Sequence, residues 1–117
     1  MISIDEIEKQ LGEHIVFVYN NLHKGDYAII DGELVSILYE ALKQLDDYSK
    51  VNIILQTGGG NLSAGLRLIR MLRQMYDSYE ITVLDRCHST GTLIALGADL
   101  IKVTPKSIMT PCEPQIL

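Results

Sequence analysis

Four short runs rich in β-branched and aromatic residues recur along the chain: HIVFVYN at 14–20, VNIILQ at 51–56, EITVLD at 80–85 and LIKV at 100–103. Between them lie longer stretches whose apolar residues return at helical spacing. Few folds accept such a regular alternation. Strand–helix–strand units form right-handed crossovers, and their strands line up in parallel. The expected fold is therefore α/β, with stacked βαβ units and a mainly parallel sheet.

The helical stretches give further detail. In ELVSILYEALKQL, Leu34, Ile37, Leu38, Ala41, Leu42 and Leu45 predict one buried stripe. A second helix is predicted from Leu62 to about Tyr76, with Leu62, Leu66, Ile69 and Leu72 facing inward and Arg67, Arg70 and Arg73 on a solvated outer face. A third, from Thr90 to Ala98, is built of small residues that permit close packing. Ser3 and Glu6 stand at capping-box spacing, and Gly12 is expected to end a short N-terminal helix over 1–12. A short strand is expected at Tyr27 to Ile30. The tail TPKSIMTPCEPQIL reads as extended and broken by prolines. One domain over 1–117 is expected, with its βαβ core over 13–117.

Composition narrows the function classes. Net charge is −5 with only ten Lys plus Arg, which disfavours binding to a nucleic-acid backbone. No apolar run reaches the roughly 18 residues of a membrane span. The start, MISIDEIEKQ, lacks the basic-then-apolar pattern of a signal peptide, so a cytoplasmic protein is expected. Cys87 and Cys112 make no disulfide framework and are expected to be reduced. Cys87, His88 and Cys112 offer only three candidate ligands and no C-x-x-C pair, so no metal is expected. Nothing in the sequence calls for a cofactor.

In parallel sheets, ligands sit where strands run out into helices. Two such junctions stand out. Gly58, Gly59 and Gly60 follow the second long strand and lead through Asn61 into a helix. Their N–H groups are suited to an anion or oxyanion, or else simply make a tight turn. Neither G-x-x-x-x-G-K-[ST] nor G-x-G-x-x-G is matched, which argues against a nucleotide. Ser89 opens the third helix, as an N-cap or as a nucleophile. The G-x-S-x-G elbow is absent, with Cys87 at the first glycine position. His88 adjoins Ser89, but neighbours on a strand point to opposite faces.

Taken together, NIILQTGGGNLSAGLRLIRML and STGTLIALGADLIKVTPKSIMTPCEPQI resemble the serine dehydrogenase proteinase family, a signal-peptide-peptidase-like branch of the Clp protease/crotonase superfamily. The resemblance covers about Val51 onward and, more loosely, the strand and helix before it. It implies a Clp protease/crotonase-like fold in a truncated version, because the family continues with more helix after P-Q. It also implies Ser89 as nucleophile, the N–H groups of Gly60 and Thr90 as oxyanion hole, and Gly58 and Gly59 as supporting loop. The implied partners are a peptide or protein substrate, and either a homo-oligomer or a chain completing the fold.

The departures from the family pattern are specific. Gln56 and Gly58 replace the histidine and proline of H-T-P-G-G, and the glycine is expected to leave the hole less preorganised. Thr90 replaces the alanine of S-A-G-T, and Glu113 the aspartate of P-I-D-P-Q. Cys112 falls about where a Clp-type protease carries its histidine. The family's lysine base lies further along than Leu117, and neither Lys102 nor Lys106 matches it. Three readings follow: a serine-peptidase-like domain, a non-catalytic assembly or binding module of the same fold, and a crotonase-like acyl-CoA enzyme.

Overall fold

A computed structural model describes residues 12–19 and 29–111. Its centre is a four-stranded, wholly parallel sheet of β1 (His14–Val18), β3 (Lys50–Leu55), β5 (Ser78–Val83) and β7 (Leu100–Val103), in that spatial order. Val51 stands beside His14 on one side and Tyr79 on the other, and Ile81 pairs with Ile101. The expected parallel α/β architecture is thus the observed one. Because the strand order never reverses, right-handed crossovers put α1 (Gly32–Leu42), α2 (Leu62–Met75) and α3 (Thr90–Leu96) on the same face.

Strand residues alternate between the two faces. On one face Val51, Ile53, Leu55, Tyr79, Ile81 and Val83 join Val35, Leu38, Leu42, Leu68, Leu72 and Ile94 in a single buried core. The other face carries a charge ladder. Lys50 bridges Glu13 (3.3 Å) and Glu80 (3.0 Å), Lys102 reaches Glu80 at 2.9 Å, and Thr82 donates to Asn52 at 2.8 Å. Burial pushes the Glu80 carboxyl up, but Lys102 and Lys50 outweigh it and hold it below the usual range.

Each helix begins and packs for identifiable reasons. Asp31 caps α1 by accepting from the Leu34 N–H (2.9 Å), and Asn61 caps α2 by accepting from Ala64 (3.0 Å). The buried faces differ from those the periodicity predicts. In α1 the buried line is Val35, Leu38 and Leu42, while Ile37 is 59% exposed and Ala41 faces water, as does Leu45, which lies beyond the end of the helix. In α2, Ala64, Gly65, Leu68 and Leu72 are buried, whereas Leu62 and Leu66 are exposed. The cause is α3, which lies so close that only small residues of α2 fit beneath it. A Cβ on Gly65 would stand 2.5 Å from the Thr90 Cγ2.

Arg67 and Arg70 are exposed as expected, but Arg73 is tied down. Its guanidinium bonds both Asp99 carboxylate oxygens and lies over the Tyr79 ring. The predicted helix over 1–12 lies outside the described residues apart from Gly12, and so does the first half of the Tyr27–Ile30 strand.

Beyond the carboxyl ends of the long strands the chain forms a second tier of two-residue parallel pairs. There β2 (Ile29–Ile30) pairs with β4 (Gly59–Gly60), and β6 (Arg86–Cys87) with β8 (Ile108–Met109). A bridge ties Thr57, two residues before β4, to Cys87 of β6. Both junctions singled out in the sequence belong to this tier.

Candidate active site

Ser89 stands at the N-cap of α3 but makes no side-chain capping bond. The hydroxyl is therefore not spent on the role that serine at this position usually has. Its backbone is unusual, at φ 52 and ψ −114, which is turn geometry dominated by glycine. Several bonds hold this shape. The Ser89 N–H donates to Thr110 Oγ1 (3.1 Å), and the Ser89 carbonyl accepts from Thr92 (2.9 Å) and Leu93 (3.3 Å). The N–H of His88 donates to the Thr57 carbonyl at 3.0 Å.

The glycine loop faces this turn. A Cβ on Gly59 would lie 3.1 Å from Ser89 Cβ and 3.7 Å from its Oγ, so the two junctions are in direct contact. Gly59 has φ 113 and its N–H donates to Thr57 Oγ1 at 3.1 Å. At Gly60 any Cβ would overlap the Ile30 carbonyl oxygen at 2.3 Å. The Asn61 N–H donates to that same oxygen at 2.7 Å. The peptides flanking Gly60 thus face Ile30, which turns the N–H and C=O of Gly60 itself toward α3. The carbonyl indeed accepts from Thr90 Oγ1 at 3.0 Å. The Thr90 N–H opens α3, ahead of the first intrahelical bond. An open cavity of about 490 Å³ lies alongside, lined by Ile29, Gly58, Gly59, Gly60 and His88.

Among the described residues no basic side chain is paired with the Ser89 hydroxyl. His88 lines the cavity, but its Nδ1 pairs with Thr110 Oγ1 at 3.2 Å, not with Ser89. His14 pairs with the Tyr76 hydroxyl (2.6 Å) at the opposite end of the sheet. Lys102 belongs to the charge ladder, and Lys106 is exposed in the turn after β7. Cys87 is fully buried beneath the turn; burial pushes its thiol up to about 12, partly offset by a hydrogen bond with Thr92. Among the described residues no group of three or more His, Cys, Asp or Glu is placed to hold a metal, and no helix is long and apolar enough to cross a membrane. His23 and Cys112 lie outside the described residues.

Three hydroxyls frame the site unannounced by the sequence pattern. Thr57 is the threonine of the H-T-P-G-G pattern and Thr110 lies just before the P-Q segment, but the resemblance gives neither side chain a role. Thr90 did carry a signal, as a β-branched hydroxyl residue where S-A-G-T has alanine.

These features define an α/β domain whose parallel strands run out into a glycine loop and a strained serine turn in contact. The Clp protease family model matches residues 2–112, and the chain belongs to that family. An uncharacterized protein of Methanocaldococcus jannaschii is 25% identical over 122 residues, covering 97% of this chain. The chain spans 41% of that relative's length. The ClpP protease catalytic domain from Plasmodium falciparum superposes with a TM-score of 0.63 at 13% identity, over 92% of this chain and 57% of that one, which is a likeness of fold.

Proposed function

We propose that the chain is a serine-peptidase-like domain in which Ser89 is the nucleophile, of the serine dehydrogenase proteinase type that its second junction resembles. The observation that carries this reading is the Ser89 turn: a non-glycine residue in glycine-type geometry, its hydroxyl uncommitted to capping, against a glycine loop. Strained residues of this kind concentrate at functional sites. Ser89 Oγ adds to a peptide carbonyl and loses its proton to a base. The resulting oxyanion is stabilised by the N–H groups of Gly60 and Thr90. Collapse breaks the C–N bond, the base returns the proton to the leaving amine, and water then cleaves the acyl ester. The base comes from outside the described residues, either later in a longer polypeptide or from another copy in a homo-oligomer.

The test is a serine-directed fluorophosphonate probe on the assembled protein, with the labelled peptide located by mass spectrometry. Label is expected on Ser89, absent in Ser89→Ala at unchanged circular dichroism, and falling as pH drops and the base is protonated. A folded, assembled protein that takes no label at any pH overturns the reading. The engagement of His88 with Thr110 instead of Ser89 would then favour a binding or assembly module of the same fold.

A further inference from the structure

Three consecutive glycines are the least ordered backbone a chain can place beside a reacting group, since each has the most conformational freedom to lose. Gly59 and Gly60 have structural reasons to be glycine: both have positive φ, and a Cβ on Gly60 would overlap the Ile30 backbone. Gly58 has neither. It is exposed, and its φ is not positive. The loop is therefore freer than its geometry demands, and something else must hold Gly60 in place.

That restraint comes from α3. Thr90 is 2% exposed, and its hydroxyl donates to the Gly60 carbonyl at 3.0 Å. Its methyl fills the space that Gly65 of α2 leaves open, which limits the side chain's freedom to turn away. Gly60 is thus clasped between the Ile30 backbone on one edge and a buried, sterically fixed hydroxyl on the other. Because N–H and C=O of an extended residue share an edge, fixing the carbonyl also aims the N–H.

We propose that Thr90 is a positioning residue through its side chain: its hydroxyl holds Gly60 so that the Gly60 N–H stays directed at the oxyanion, doing what a stiffer loop would do unaided. This role rests on the reading of Ser89 as nucleophile and is separate from the part played by the Thr90 backbone N–H. Loss of one oxyanion-hole donor slows comparable enzymes about 10²–10³-fold, so a donor that is misaimed for most of the time is expected to slow acylation roughly tenfold.

The experiment compares second-order rates of fluorophosphonate labelling at Ser89 in the assembled protein, alongside thermal unfolding of each variant. Thr90→Ser keeps the hydroxyl and loses the methyl; it should label within about threefold of wild type. Thr90→Ala should fall about tenfold. Adding Gly58→Pro to Thr90→Ala should restore most of the loss. Proline suits the negative φ there, the preceding Thr57 lies in a β-bridge, and a rigid ring removes the freedom that the hydroxyl otherwise restrains. A merely structural Thr90 would give rates that track the unfolding temperatures and no rescue by proline. Equal labelling by Thr90→Ala and wild type overturns the positioning role alone, as does a Thr90→Ser loss as large as that of alanine. A wild type that never labels overturns the nucleophile reading and this role with it.

Discussion

Removing the two lysines beside Glu80 should cost far more stability than removing Glu80 itself, because burial in the ladder is one-sided. The Glu80 side chain is 9% exposed, while Lys50 and Lys102 are 36% and 43% exposed. Lysines left without a carboxylate can turn into water, so Glu80→Gln should cost about 1 kcal/mol. A carboxylate left without lysines keeps less hydration than it has in the unfolded chain, and stranding a buried charge costs up to about 3–5 kcal/mol. Protonation sets the ceiling. Moving a group from its ordinary 4.5 to neutrality near pH 7 takes about 3.4 kcal/mol at 1.36 kcal/mol per unit, so the cost of Lys50→Met with Lys102→Met should level off there. Lys50 also serves Glu13, so both changes belong in a Glu13→Gln background.

The pH dependence supplies a second check, of opposite sign in the two proteins. In the parent, the Glu80 carboxyl is held low, so its contribution is complete above its unfolded value and is lost as pH falls through the folded one. Without the lysines only burial remains, the folded value rises, and this group's cost shrinks as pH falls from about 7 to about 5. Urea unfolding at several pH values, with Glu80→Gln as reference, reads both effects. Equal costs for the glutamate and lysine variants, or a lysine variant whose deficit grows toward pH 5, would refute the reasoning.

Three further outcomes follow from the packing. Gly60→Ala should lower stability by about 3 kcal/mol or more in urea unfolding, since backbone meets backbone there, while Gly58→Ala, at an exposed position without positive φ, should stay within about 0.5 kcal/mol. Cys87 should resist a neutral-pH thiol reagent until the protein unfolds, as peptide mapping would show; stoichiometric labelling of the Cys87 peptide in the native protein would contradict its burial. Gly97→Ala places a Cβ 2.5 Å from the Tyr79 hydroxyl and should cost about 1–3 kcal/mol, but clearly less in a Tyr79→Phe background; strict additivity would mean that the clash is not with that oxygen.

The sheet was legible because VNIILQ, EITVLD and LIKV carry their signal in composition, and chain order then dictates the crossovers. The helix faces were not. Periodicity counts large apolar residues, so it placed Leu62 and Leu66 inside α2, whereas proximity to α3 selected Ala64 and Gly65. In α1 the apolar positions cover more than one face, and only packing decides that Val35 goes in and Ile37 stays out. At the site, the contact between Ser89 and the glycine loop followed from parallel topology, which gathers strand ends together. Of the second tier only the strand ending at Ile30 was legible, since two residues such as Ile108 and Met109 carry no periodic signal. Nor does any local pattern mark Thr110, whose hydroxyl reaches Ser89 across 21 positions.

The backbone of Ser89 sets folding and chemistry against each other at one position. An L-residue held at φ 52 and ψ −114 costs on the order of 1–3 kcal/mol, and glycine would bear it with little strain. Ser89→Gly should therefore raise the unfolding temperature, whereas Ser89→Ala, which keeps the Cβ, should leave it nearly unchanged. Any selection of variants for thermostability alone, including recombination or consensus-free random mutagenesis, will be drawn toward glycine at this site. The most stable form of this domain is, on the reading proposed above, one that has lost its nucleophile.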